Sequence, residues 1–215
     1  MISALRQAVP YLRLYKGKTF VIKAKATPKL IEQVAILHHL GIRLVFVQAG
    51  APADAQFLET CRALGIDAVG DIVLSDRATL TRELDAGLMP VVSSQADTVA
   101  ASIGVALVAE KLIFCAGAPG ILERRDDPRS LVTYTDLAGL RRLSKSGCLD
   151  GGGLPGLSAT EAAIQAGVRR VHVISNQAPD SLLLEVFTNE GTGTMIVADV
   201  AALTPAELQT EPAVA

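Results

Sequence analysis

Tryptophan is missing from this 215-residue chain, and all aromatic residues together make up 4% of it. The core therefore has to be filled by Ala, Leu and Val, the profile of a parallel α/β protein whose strands are covered on both faces. Cysteine is almost as scarce. Cys61, Cys115 and Cys148 are widely spaced and odd in number, which suits neither a disulfide framework nor a zinc site. Small semi-buried thiols in a reducing compartment account for them. Excess charge is lacking too. A formal net charge of −2 with no basic stripe argues against a nucleic-acid partner. No apolar run is long enough to span a bilayer, and no leading segment reads as a signal peptide, so a cytoplasmic protein without a membrane partner is expected. Neither an internal repeat nor a domain linker interrupts the chain, and neither Gly-x-Gly-x-x-Gly nor the Walker phosphate loop occurs in it.

What the chain does contain is organised around the stretch Leu149 to Thr160, with Gly151-Gly152-Gly153, then Pro155 and Gly156. Three successive glycines permit positive φ and close approach of a ligand to backbone. Pro155 excludes a strand here. A helix follows through Glu161-Ala162-Ala163-Ile164-Gln165-Ala166, with Ser158 or Thr160 as its expected N-cap. A glycine loop feeding a helix N-terminus offers free N–H groups and the positive end of a dipole, which suits a phosphate or a carboxylate. A ligand-free surface loop explains the same glycines.

Along the chain, apolar residues at helical spacing predict a helix over 1–15, with a break or kink at Pro10. Strands are predicted at 18–23, 43–47, 89–93, 111–115, 170–174 and 193–197, because adjacent apolar residues there suit a sheet covered on both faces. Helices are predicted at about 29–40, around Phe57 to Leu64, at 76–86, 98–107 and 181–187, and from an N-cap at Thr135 through Leu143. Residues 123–129 form a charged excursion. From 201 onward the sequence reads as a polar tail. This βαβ rhythm gathers the glycine loops at 50, 117–120 and 151–153 on one edge of a parallel sheet, where a nucleotide or small anion is the expected ligand. Lys23 falls at the end of the first strand, on that same edge.

Several stretches together resemble the amino acid kinase family, most closely its acetylglutamate kinase branch. They are Gly17-Lys18-Thr19-Phe20-Val21-Ile22-Lys23, Ala109-Glu110-Lys111-Leu112-Ile113, Gly151-Gly152-Gly153-Leu154-Pro155, Val171-His172-Val173-Ile174, and the run from Leu182 to Ile196 through Phe187-Thr188-Asn189-Glu190-Gly191-Thr192-Gly193-Thr194. The resemblance implies a three-layer αβα fold around a mainly parallel eight-stranded sheet. It divides a single domain, 1–200, into an N-terminal helix (1–16), a reduced amino-acid-side lobe (17–92) and a nucleotide-side lobe (93–200), with 201–215 as tail. The implied reaction passes the γ-phosphoryl of MgATP to the side-chain carboxylate of N-acetyl-L-glutamate, in arginine biosynthesis. ATP with magnesium is the implied cofactor, and a homo-oligomer the implied assembly: a dimer, or a larger one built through the N-terminal helix.

The resemblance also assigns residues. Lys23 matches the phosphoryl-contacting lysine, and Asp97 the aspartate that organises the lysines. Gly151, Gly152, Gly153 and Gly120 fall on the nucleotide side, and Gly50 on the substrate side. Glu190, Gly193 and His172 match an arginine effector site, where a carboxylate and carbonyls would meet a guanidinium that offers only donors. Other positions depart from the pattern. Lys25-Ala26 replaces a glycine pair, Val73 replaces the arginine that grips the substrate α-carboxylate, Gly117 replaces an aspartate, and Gly156 replaces the second lysine. The shortening falls between Asp76 and Met89. Two classes of function remain open: an acetylglutamate kinase-like enzyme, impaired or inactive, and a non-catalytic regulatory, arginine-sensing or oligomer-partner subunit with the same fold.

Overall fold

The computed structural model describes residues 2–50, 52–70, 77–151, 153–188 and 191–199, with backbone alone for residues 2–7. The first half of the chain runs α1 (Ile2–Tyr15), β1 (Thr19–Ala24), α2 (Pro28–His39), β2 (Arg43–Gln48), α3 (Ala55–Ala63), β3 (Ala68–Val69), α4 (Arg77–Asp85) and β4 (Met89–Ser93). The second half runs α5 (Asp97–Ala106), β5 (Lys111–Ala116), β6 (Tyr134–Asp136), α6 (Leu137–Lys145), α7 (Leu157–Gln165), β7 (Arg170–Ser175), α8 (Ser181–Phe187) and β8 (Thr194–Val197). Eight strands form one sheet in the order β3-β4-β2-β1-β5-β7-β8-β6. Neighbours pair in parallel except β7 with β8, which are antiparallel.

Strand alternation divides the core between two helical layers. On one face Val21, Val45, Val47, Leu112, Phe114, Val171 and Val173 pack with residues of α4, α5, α6 and α7. On the other, Phe20, Ile22, Leu44, Phe46, Ile113 and Ile174 pack with residues of α1, α2, α3 and α8. Each fully buried side chain of this size contributes about 1.5–3 kcal/mol. The fold is thus the αβα sandwich that the sequence leads one to expect.

The chain leaves β1 for β2, β3 and β4 on one side, then returns to β5 on the other side of β1. A crevice opens where the winding reverses, beyond the carboxyl ends of β1 and β5. Lys23 lies next to last on β1, in register with Phe114 of β5 and Val47 of β2.

Four local expectations need correction. Of the break or kink expected at Pro10, the break does not occur: α1 continues through that residue. Tyr11 and Tyr15, one turn apart, are both buried; their rings stack 6.3 Å apart, and Tyr15 meets Phe20 edge-on at 5.2 Å. That packing offsets the hydrogen bond which proline forfeits. Thr135 is not a helix cap: it lies on the short strand β6, and the cap of α6 is Asp136, whose carboxylate accepts from the Gly139 N–H at 2.7 Å. Helix α7 starts earlier than expected, with Gly156 rather than Ser158 or Thr160 as its N-cap and no side chain capping it. Strands β3 and β6 have two and three residues, too few to show a period.

Candidate active site

Lys23 is 7% exposed, a cost for an ammonium that only close partners offset. Its Nζ donates to Asp97 Oδ1 at 2.5 Å and to the Gln95 carbonyl at 2.6 Å. Asp97 opens α5, so its carboxylate also sits favourably at a helix N-terminus. Its second oxygen, Oδ2, accepts from the backbone N–H of Gly156 at 3.0 Å. One carboxylate therefore ties the end of β1 to the start of α7, across sequence separations of 74 and 59 residues.

Lys23, Gln95 and Asp97 border a cleft of about 340 Å³ at the crevice, whose wall includes Lys25, Ala49, Gly117, Gly153 and Asn176. Gly153 has φ of 69°, and a Cβ there would sit 3.6 Å from the Gly117 N–H nitrogen. The two glycine loops thus face each other backbone to backbone, a geometry that leaves amide groups open to an anion. Cys115 also borders the cleft, but burial pushes its thiol up to about 12, so it presents a neutral S–H and no nucleophile.

The remaining expected positions are placed as follows. Gly151 has φ of 87° and is exposed outside the cleft wall. Gly50, with φ of 113°, is exposed one residue beyond Ala49. Gly120 is buried away from the cleft: a Cβ there would lie 2.7 Å from Leu131 Cδ1 and 2.8 Å from Thr194 Oγ1, so packing accounts for this glycine. Gly152, Val73, Glu190 and the tail from 201 lie outside the described residues.

A second polar constellation lies on the other face of the sheet, beneath α1 and α8. Lys111 Nζ stands 3.0 Å from His172 Nε2, and His172 Nδ1 stands 2.6 Å from Glu185 Oε1. Glu185 Oε2 accepts the N–H groups of Thr192 at 2.7 Å and Gly193 at 3.1 Å. The chain of bonds assigns His172 a proton on Nδ1, donated to the carboxylate, while Nε2 accepts from Lys111. His172 and Gly193 thus meet around one small cavity, with Tyr11, Tyr15, Lys111 and Arg170. Its free space of about 30 Å³ is enough for a water or two. Arg170 is buried with Glu110 at 3.1 Å. The sequence reading missed Glu185, the hub of this network. A single carboxylate in the apolar run Ser181–Phe187 was the available signal.

Burial, then the neighbouring Arg170, pushes Lys111 down to about 7. Burial and Lys111 push His172 down to about 4. Burial alone would raise Glu185, but the His172 hydrogen bond and charge and the Thr192 N–H hold it at about 2. In each case the folded chain releases its proton more readily than the unfolded one, so all three act with one sign. Their contribution is complete above 10.5, 6.5 and 4.5, and is lost as pH falls toward 7, 4 and 2 respectively. Tyr15, which burial pushes up from 10 to about 12, acts oppositely above pH 10. The melting temperature is expected to climb by several degrees from pH 4 to 9, and Lys111→Met should flatten the part above pH 7. Melting curves across that range check it; a melting temperature that falls with rising pH would contradict the assignment.

Among the described residues, no group of three or more His, Cys, Asp or Glu is placed to hold a metal ion, and no helix is long and apolar enough to cross a membrane. The polar groups of the cleft are lysines, backbone amides and the amide side chains of Gln95 and Asn176, with a single carboxylate already engaged by Lys23 and Gly156. That set fits a phosphate, not a protein-held cation.

Comparison with known proteins identifies the architecture. The model of the amino acid kinase family matches residues 46–175. The chain belongs to the amino acid kinase family. Within it, the chain falls in the acetylglutamate kinase branch. It is 30% identical to the acetylglutamate kinase of Synechococcus sp. (strain RCC307) over 276 residues, covering 91% of this chain and 93% of that one. It is 33% identical to that of Desulforamulus reducens over 210 residues, covering 90% and 72%. Among solved structures, N-acetylglutamate synthase of Neisseria gonorrhoeae, complexed with coenzyme A and N-acetyl-glutamate, superposes with a TM-score of 0.74 at 24% identity. That likeness covers 93% of this chain, which spans 64% of the length of the synthase. Carbamate kinase of Giardia lamblia, bound to AMP-PNP, gives a TM-score of 0.67 at 11% identity, covering 85% and 99%. At these identities the superpositions speak to the amino acid kinase fold alone.

Proposed function

We propose that this amino acid kinase is an acetylglutamate kinase-like protein of arginine biosynthesis that retains the phosphoryl-facing end of the site but transfers phosphate poorly. The family reaction passes the γ-phosphoryl of ATP to the side-chain carboxylate of N-acetyl-L-glutamate. Lys23 is the residue placed to meet the transferring group, and Asp97 is its positioning partner. The Gly117 and Gly153 loops would carry phosphate oxygens. A magnesium ion, arriving on the nucleotide's own phosphates, would neutralise part of their charge.

The observation that carries the reading is at Gly156. The resemblance puts a second lysine there, organised by the same aspartate. In this chain Asp97 receives a backbone N–H from that position instead. A transition state whose charge is spread over phosphoryl oxygens needs fixed cations, and removing one such donor costs about two to three orders of magnitude in rate. A coupled assay with MgATP and N-acetyl-L-glutamate tests this: turnover well below the usual enzyme range of about 1–10³ per second is expected.

A regulatory, arginine-responsive subunit is the second reading. It draws on the cavity beneath α1 that gathers His172 and Gly193. That cavity is water-sized, so arginine would have to part α1 from the sheet to enter. A melting-temperature rise with arginine that Glu190→Gln removes would favour this reading over the first.

A further inference from the structure

Lys23 and Asp97 neutralise each other at 2.5 Å, so the pair contributes little net charge to the cleft. Gly156 contributes none. A second lysine nevertheless lines the cleft, Lys25, one residue beyond the end of β1. Lys25 is exposed, and among the described residues neither a hydrogen bond nor an ion pair holds it. The other titratable groups of that wall are Lys23, Asp97 and the neutral thiol of Cys115, so the cleft's surplus charge is the single positive charge of Lys25.

We propose that Lys25 is a cation of this cleft for polyphosphate ligands, supplying from the β1 side the charge that Gly156 does not supply from the α7 side. This rests on the reading of the cleft as a phosphate site and adds a residue to it. Two features of the fold support it. Helices α5 and α7 both begin at the cleft, with Ala96 and Gly156 as N-caps and no side chain capping either. Helices α2, α3 and α6 are capped by Thr27, Asp54 and Asp136, while α8, away from the cleft, is uncapped like α5 and α7, so the open N-termini add donors to the cleft without being peculiar to it. Lys25 is also unencumbered: a free ammonium on a flexible stem reaches a phosphate as a mobile point charge, which a lysine bonded to a carboxylate does not. The substitution of a lysine for a glycine that crowds the backbone therefore exchanges amide contacts for a charge.

The test is isothermal titration of the full chain with inorganic tripolyphosphate at low salt. Wild type is expected to bind it. Lys25→Ala should weaken binding at least about tenfold, the scale of one charge-assisted hydrogen bond. Lys25→Arg, which keeps the charge, should stay within about threefold of wild type on the same scale. Because the residue is exposed, both variants should melt with wild type. No binding by wild type at millimolar ligand, equal binding by Lys25→Ala, or a Lys25→Arg as weak as Lys25→Ala would each overturn the proposal. Turnover judges the reading of impaired catalysis, and the Lys25 comparison judges this one, so either can fail while the other stands.

Discussion

Replacing Glu185 by alanine is expected to lower the melting temperature by about 10 °C. Its carboxylate is 7% exposed and accepts from His172, Thr192 and Gly193 together. Removing it orphans the buried Gly193 N–H, the half-buried Thr192 N–H and the His172 Nδ1–H, and takes from Lys111 one of the two buried carboxylates, Glu185 and Glu110, that favour its charge. Breaking a buried, hydrogen-bonded charge cluster from one side costs about 3–5 kcal/mol, and each kcal/mol is about 2–4 °C in a chain of this size. Glu185→Gln should cost less, because an amide oxygen still serves the Thr192 and Gly193 N–H groups. Its NH₂, though, faces a ring nitrogen that already carries a proton, so His172 must change tautomer. Thermal melts of the two variants against wild type decide it. If Glu185→Ala melts with wild type, the carboxylate is not the hub that holds the α8–β8 connection.

Gly156→Lys is expected to raise phosphoryl transfer to N-acetyl-L-glutamate by about two orders of magnitude, the scale of one restored electrostatic donor. The backbone permits it: Gly156 has φ −63° and ψ 143°, an extended conformation open to any L-residue. A Cβ built there finds Asp97 Oδ2 at 3.9 Å as its near neighbour, so the new side chain starts beside the carboxylate that must organise it. The backbone bond to Asp97 is kept, since every residue but proline has the N–H. A rise confined to binding, with turnover unchanged, would mean that the obstacle lies elsewhere, as at Lys25-Ala26, where the resemblance implies a glycine pair.

The long apolar strands were legible because a sheet covered on both faces demands adjacent apolar residues, as in Val21-Ile22 and Val45-Phe46-Val47. Strands β3 and β6 were not, being too short to display a period and fixed instead by pairing with β4 and β8. The start of α7 was misjudged because Ser158 and Thr160 are good caps by type, whereas the N-cap is Gly156, whose own N–H is held by Asp97, 59 residues away. The cleft shows the same limit. Lys23 and Asp97 are adjacent only in the fold, and a resemblance to a family suggested them, not their spacing. Lys25 was concealed by that resemblance: it read as a glycine lost, and only the folded chain shows it lining the cleft. The Lys111–His172–Glu185 network offers one polar residue from each of three apolar segments, and no period in the sequence connects them.

As proposed, this kinase fold keeps a phosphate site but little phosphoryl transfer. The most direct measurement of it is the steady-state turnover of the wild-type chain with saturating MgATP and N-acetyl-L-glutamate, followed by coupled release of ADP. The expected turnover is at least about a hundredfold below the lower end of the usual range of about 1–10³ per second, with Lys23→Ala removing whatever remains. A wild-type turnover inside that range would contradict it.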